Sequence, residues 1–507
     1  MTWTRGNKED YDAWEELGNE GWSWDGMLHS FKKTERLHKS DAYHQQQHHS
    51  YSDASYHGTD GPVSTVYSKE FSTPHQHWHA TLNKLGLATN KSHFSGNNLG
   101  AFTTLTSVDP ESRTRASSAT AYYLPNASRK NLHVLTDAIV EKIDLESRDE
   151  KWLATGVSFL CGTERFTARC TYEVILCAGS VQSPQLLEMS GIGNTEILKA
   201  AGVLVKVGNQ NVGENLQEHM MTATIYELDP TLVGPDELRV DPVLAEAAEK
   251  AYNTSQSGIY AMLPCALSYA SLPQVVSEPS LQQIIDRLPR PNTRRDEVLQ
   301  KQFTQSRRGQ VEFLFDLGNW SPSYKSEKGK VYGTMLMMHQ LPLTRGSIHV
   351  PSTSSLDHQP SIHDKPIINP RYFEGPGGEL DFLIMSECQK FADRICRTAP
   401  LSSIIRRRVY PPERDRERED EEDFRSWIRE SCITDWHPIG TCAMSPSREG
   451  GVVDARLRVY GMKGLRVADA SVMPLHICSH PQATVYAIGE KAAAMILEDR
   501  EMSMSNK

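Results

Sequence analysis

The sequence predicts an α/β protein, α+β over its whole length, in which a parallel layer is accompanied by a separate antiparallel sheet. Three stretches carry that expectation. The run Val174-Ile175-Leu176-Cys177-Ala178 is continuously apolar, the pattern of a strand buried on both faces in a parallel sheet. Gly179-Ser180 then supplies a turn, and Pro184 stands near the start of a helix carrying Leu186, Leu187 and Met189, which makes half of a βαβ unit. The segments VEFLFDL (311–317), YGTMLMMHQL (332–341) and RGSIHVPS (345–352) read as strands suited to an antiparallel sheet outside that layer. Residues 464–499 read as a strand, a loop and a long apolar helix.

The remaining elements follow in chain order. The opening MTWTRGNKEDYDAWEELGNEGWSWDG mixes Trp3, Tyr11, Trp14, Trp22 and Trp24 with glycines and acidic residues, so it reads like the interior of a folded domain. Residues 7–36 are expected to be helical. Residues 38–60 are rich in His, Gln, Ser and Tyr and read as an exposed loop, because their histidines lack the fixed spacing of a metal site. Residues 113–142 end in an alternating strand pattern, and residues 240–330 are polar with helical stretches. Residues 414–431 mix both charge signs in the manner of a solvated helix face.

Composition excludes several classes. Hydrophobic residues make up 38% and charged residues 23% of the 507, the balance of a globular protein. A net charge of -10 argues against a nucleic-acid partner, which calls for a basic face. No apolar run approaches the ~18–20 residues of a membrane span, and no signal-peptide pattern stands at Met1. The nine cysteines lack CxxC spacing, so neither zinc nor a disulfide framework is expected. The sequons at Asn90, Asn126 and Asn253 carry little weight, and Ser-Asn-Lys at the C-terminus is not a peroxisomal address. A reducing, cytoplasmic location is the default expectation.

Chemistry concentrates near the end of the chain. No GxSxG, HExxH, GxxxxGKS or GxGxxG occurs, which removes the main support for hydrolase, zinc-peptidase and P-loop readings. Two segments stand out: Asp435-Trp436-His437-Pro438-Ile439-Gly440-Thr441-Cys442-Ala443-Met444 and Cys478-Ser479-His480-Pro481-Gln482-Ala483-Thr484. Each places a histidine directly before proline, which restrains the histidine backbone to extended values. Pro481 suits the first helical position and His480 the N-cap, so free N–H groups and the helix dipole there favour negative charge. A lone histidine is normally a surface or satisfied core residue; two in matching contexts, one at a helix start, point to a site. Cys442 reads as a packed thiol and His476 as a loop residue.

These segments resemble the glucose–methanol–choline family of FAD-dependent oxidoreductases. Thr2-Trp3-Thr4-Arg5 with Gly18-Asn19-Glu20-Gly21-Trp22 is similar to the stretch just after the family's first signature. Cys177-Ala178-Gly179-Ser180 through Ser183-Pro184 to Ser190-Gly191-Ile192-Gly193 is similar to the second. Asn211-Val212-Gly213-Glu214-Asn215-Leu216-Gln217-Glu218-His219 resembles the segment that follows, with Glu218 where Asp is common. Arg345-Gly346-Ser347 also fits, and the separation of His437 and His480 matches that of the family's active-site pair.

The resemblance implies a discontinuous, Rossmann-like FAD-binding domain over 1–218 and 440–507, with a substrate domain holding the antiparallel sheet over 219–439. It implies FAD-dependent oxidation of a small-molecule alcohol, with His437 as general base and His480 orienting the oxygen or sharing the proton. Thr2, Trp3, Trp436, Asp469, Ala470, Pro481, Gln482, Ala483 and Thr484 would lie along the flavin. Val140 would approach the adenine, although it is equally at home as a plain strand residue, and Ala178 and Gly179 would lie near the ADP part. MTWTRG would fall inside the first signature, so a βαβ unit of about 30 residues with GxGxxG is expected upstream. A non-redox lyase or cyclase on the same fold, or an inactive remnant, remains open.

Overall fold

The computed structural model describes all residues except 149–150, 264, 304–306, 357, 359, 413–421 and 506–507. Among these, the largest sheet has seven strands. Its order is Ile405–Tyr410, Met220–Leu228, Tyr332–His339, Val311–Leu317, Ala266–Ala270 and Gly100–Thr103, and Ile433–Thr434 pairs with the start of Met220–Leu228. Every pairing is antiparallel. Strand periodicity sorts the side chains into two faces. Val311, Phe313 and Phe315 register with His339, Met337 and Met335, and that face packs on the helix Gly375–Cys396. Glu312 and Leu314 register with Met338 and Leu336, and on that second face Met338, Leu336 and Leu314 lie beside their strand neighbours Met221, Ala223 and Leu267 in one buried apolar cluster. Both faces are covered, so these strands are almost continuously apolar although the sheet is antiparallel. Phe313 is fully buried, and its truncation to alanine costs about 3–5 kcal/mol.

The expected half βαβ unit forms, with two corrections. Val174–Leu176 pairs in parallel with Leu465–Val467, as a two-stranded sheet. The run is not buried on both faces: Ile175, 42% exposed, and Cys177, also exposed, share one face by strand alternation, while Leu176 on the other is buried. The helix runs Gly179–Met189, so Pro184 lies inside it rather than near its start. Proline has no N–H for the carbonyl four residues back. That carbonyl, on Ser180, instead accepts the Thr441 hydroxyl at 2.6 Å. Asp469 secures the helix start, accepting from the Gly179 N–H at 2.9 Å and the Ser183 hydroxyl at 2.6 Å.

Other expectations resolve in detail. Residues 7–36 contain the helices Lys8–Glu16 and Trp24–Thr34, joined through Gly18 and Gly21, both at positive φ. Tyr11, Trp14, Trp22, Trp24 and Phe31 all enter the main core. Residues 38–60 are not simply a loop, since Ala42–His48 is helical and half-buries His48 and His49. The strand expected at the end of 113–142 is Ala138–Arg148. Residues 240–330 contain the helices Pro242–Ser255, Glu278–Asp286 and Arg294–Phe303, and also the unforeseen strand Ala266–Ala270. Gly346–His349 is a strand, but it joins Glu214–Leu216 and Ile367–Asn369 in a sheet of its own. Of 414–431, residues 414–421 lie outside the described residues; Glu422–Ser431 is a helix that buries Trp427 and Ile428, so one face is packed rather than solvated. The long final helix is Gln482–Ser505, one residue later than Pro481. Among the described residues, no helix is long and apolar enough to cross a membrane.

Candidate active site

His437 and His480 arrive from different elements and meet. Ile433–Thr434 pairs with Met220 and Met221, and the Asp435 N–H donates to the His219 carbonyl at 3.0 Å. That pairing sets the chain after Thr434 beside His219. Trp436 turns the chain at φ 55° and is exposed, and His437 follows it. His480 ends the loop that enters the helix Gln482–Ser505. The two imidazole centroids lie 4.8 Å apart with their planes at 84°. Both rings line a cavity of about 810 Å³, shared with Thr2, Trp436, Pro481 and Gln482.

Each ring is held by a buried partner. His480 Nε2 lies 2.9 Å from Glu312 Oε1. Glu312 is fully buried, and its other oxygen accepts from Gln340 Nε2 at 3.1 Å. Strand alternation puts Glu312 on the Leu314 face of the sheet, the face turned to His480 rather than to the helix Gly375–Cys396. Burial lowers the His480 pKa, but the charge and hydrogen bond of Glu312 outweigh it, so the net shift is upward.

His437 is gripped along its backbone and at one ring nitrogen. Its N–H donates to Glu218 Oε1 at 2.7 Å, and its carbonyl accepts from His476 Nε2 at 3.0 Å. Its Nδ1 lies 3.0 Å from His219 Nδ1 and 3.1 Å from Asp435 Oδ2. Burial pushes the Glu218 carboxyl up to about 7, with the nearby Asp435 charge adding to the rise. Burial also holds His219 well below its ordinary pKa and His476 at about 3, so both are neutral at physiological pH.

The other sequence-named residues divide into three sets. Thr2, Trp436, Pro481 and Gln482 share the cavity with the histidine pair. Val140 and Ala178 line a different, largely apolar hollow of about 460 Å³, together with Ile143, Leu176 and Leu186. The rest are built into the frame. Trp3 and Ala483 are buried in one apolar cluster, and Thr484 shares a 2.8 Å hydrogen bond with the Tyr11 hydroxyl. Asp469 and Gly179 are joined as described above, and the Ala470 carbonyl accepts from the Gly440 N–H.

Sequence reasoning missed Glu312, Asp435 and His219 as site residues. Glu312 had a visible signal, a carboxylate inside the apolar run VEFLFDL, where an unpaired charge is costly to bury. Asp435 and His219 stood inside quoted motifs but had no assigned partner. His476 is a loop residue as expected, and it also anchors the His437 carbonyl. His219, Asp435 and His437 form the one group among the described residues whose atoms, all within 4.8 Å of one another, could ligate a metal ion. The hydrogen bond between the histidines already engages two of those atoms.

Comparison with known proteins identifies the family. Family profiles described as GMC oxidoreductase match residues 1–221 and 342–489, the latter containing both His437 and His480. The chain is 32% identical to "Dehydrogenase mpl7" of Monascus purpureus, over 98% of this chain and 82% of that protein. It is 28% identical to "Glucose oxidase 2" of Penicillium expansum, over 98% of this chain and 78% of that one. Among solved structures, an FAD-dependent oxidoreductase from Chaetomium thermophilum superposes with a TM-score of 0.86 at 26% identity, covering 99% of this chain and 85% of that one. With both parts matched and the relatives aligned along nearly its whole length, the chain belongs to the GMC oxidoreductase family.

Proposed function

We propose that this chain oxidises the CH–OH group of a small alcohol with FAD as its cofactor, His437 taking the hydroxyl proton and His480 holding the oxygen. Membership of the family makes it an FAD-dependent oxidoreductase acting on CH–OH donors. The residues present fit that cofactor at both ends. The cavity of about 810 Å³ combines the histidine pair with Thr2 and the start of a long helix, a setting for the polar, reacting end. The hollow around Val140 and Ala178 is walled mainly by aliphatic side chains, a setting for a flat, weakly polar ring. We assign 219–439, which holds most of the large sheet and Glu312, to the substrate side, and 1–218 with 440–507 to the cofactor side.

When bound, FAD supplies the acceptor for the two electrons and the hydrogen leaving the alcohol carbon. The chain itself handles the proton. The single observation that carries the reading is that His437 has its Nδ1 engaged by the protein while its Nε2 has no protein partner among the described residues. A histidine titrates close to working pH, which suits it to accept a hydroxyl proton there. The positive ring then formed lies beside Asp435, whose Oδ2 is buried without an aligned hydrogen bond. His480, favoured in its charged form by Glu312, donates to the same substrate oxygen.

The test is spectroscopic. The FAD-loaded protein is mixed anaerobically with a panel of primary and secondary alcohols, and loss of the oxidised flavin band is followed. Bleaching by an alcohol in the wild type, and its loss in a His437→Ala variant that still carries flavin, is expected. A variant that bleaches at the wild-type rate would remove His437 from the reaction.

A further inference from the structure

We propose that His219 is a positioning residue that fixes the tautomer of His437, keeping the proton on Nδ1 and the lone pair on Nε2. The inference rests on the reading of His437 as base, and it follows from assigning each ring nitrogen in the cluster in turn.

His476 comes first. Its Nε2 lies 3.0 Å from the His437 carbonyl, which can only accept, so this nitrogen carries the proton. In a neutral imidazole the other nitrogen is then bare. It is so used: His476 Nδ1 accepts the Ile477 N–H at 3.0 Å. The Ile477 carbonyl is thereby left for His219, whose Nε2 lies 3.1 Å away and donates to it. His219 is fully buried against the His476 ring, 3.5 Å between centroids, with His437, His480 and His339 around it. Burial among those imidazoles keeps it neutral. Its Nδ1 is therefore an acceptor, and the atom 3.0 Å from it, His437 Nδ1, must be the donor. That leaves His437 Nε2 as the lone-pair nitrogen, the one without a protein partner.

Asp435 does not replace His219 in this role. Its Oδ2 is 3.1 Å from the same His437 nitrogen, yet it makes no aligned hydrogen bond. It contributes charge, whereas His219 supplies the directional acceptor. The two backbone carbonyls, of Ile477 and His437, thus dictate the proton on His437 through two buried rings that do not line the cavity.

The experiment labels the imidazole nitrogens of the FAD-bound protein with ¹⁵N and reads the His437 tautomer by NMR, assigned by difference from His437→Gln. The variants are His219→Phe, which keeps a ring but removes the acceptor, and His219→Asn, whose amide oxygen restores one. The wild type is expected to show His437 protonated on Nδ1. In His219→Phe the proton should redistribute to Nε2, and kcat should fall on the order of 10²-fold with KM nearly unchanged. His219→Asn should recover most of both signals. Should His219→Phe fail to fold, the wild-type tautomer and the Asn variant decide the matter. An Nε2–H tautomer in the wild type, or an unchanged tautomer in His219→Phe, overturns the proposal. These spectra do not depend on turnover, so an active His437→Ala variant would overturn the catalytic reading separately.

Discussion

Two groups of histidines lie among the described residues, and only one has the surroundings of the proposed site. The first joins His219, His437, His476 and His480. The second gathers His75, His79 and His93 near His48 and His49, which end the helix Ala42–His48. The first has four rings and the second five; they differ in what faces the rings. In the first group, Glu312 and Asp435 are carboxylates next to the reacting rings, backbone carbonyls fix the protons, and a cavity opens beside His437 and His480. In the second, rings stack on rings: His48 on Phe71 at 3.8 Å, His49 with His79 at 4.0 Å, His93 on Phe102 at 4.1 Å. Its polar contacts are hydroxyls and a thiol, such as Thr103 and Thr89 for His79 and Cys265 for His75. Among the described residues, both ring nitrogens of His93 and Nδ1 of His48 and of His49 have no hydrogen-bond partner. The second group uses imidazoles as flat packing pieces. Residue type alone does not make a catalytic histidine; a neighbouring charge and an opening do.

The largest expected effect tests the first group directly. His437→Ala should lower kcat/KM by about 10²–10⁴-fold, the range for loss of a general base, with flavin content retained. Steady-state kinetics on any alcohol that bleaches the wild type measures this. Next comes the carboxylate behind His480. Glu312→Gln keeps the shape but removes the charge that raises the His480 pKa. Charged His480 is the donor, so activity is lost as pH rises through its pKa. Removing Glu312 lowers that pKa, so the alkaline limb of the kcat/KM profile should move to lower pH, with a fall on the order of tenfold at neutral pH. An alkaline limb that stays in place would mean that Glu312 only packs.

The contrast also explains what the sequence disclosed. His437 and His480 were legible because each sits in a local frame that proline restrains. The strands at 311–317 and 332–339 were legible because both faces are apolar. The partners were not, since they come from strand register and loop closure between distant segments. Glu312 meets His480 only because the Val311–Leu317 strand presents alternate residues to that side, and His219 meets His437 only through the pairing of Ile433–Thr434 with Met220 and Met221. Likewise Pro184 read as a helix start, because nothing local announces that Thr441 supplies the donor that the proline withholds.

The second group predicts stability rather than catalysis. Burial drives the His75 pKa down to about 3 and the His79 pKa well below its ordinary value, and both side chains are almost fully buried. Above pH 6.5 neither state binds the proton, so neither histidine makes stability depend on pH. Below it the unfolded chain binds protons that the folded chain refuses, so stability falls as pH drops below 6.5, His75 contributing about 1.4 kcal/mol per pH unit down towards pH 3 and His79 acting in the same direction. Urea unfolding at a series of pH values should show this slope, and His75→Leu should make it shallower by one such contribution. An identical slope in His75→Leu would mean that its ring is already protonated in the fold.

The smallest effect is the sharpest test of the comparison. His48 is half-buried, stacked on Phe71, and lacks both a carboxylate partner and a place on the catalytic cavity. His48→Leu keeps an apolar surface for Phe71 and should leave kcat/KM within about twofold of the wild type, because changes that touch neither the reacting groups nor their supports leave the transition state as it was. Its pH profile should also be superimposable on that of the wild type, since no charge near His437 or His480 is altered. If instead kcat/KM fell tenfold, the helix Ala42–His48 would be coupled to the catalytic cavity, and the second group would have to be counted as part of the site.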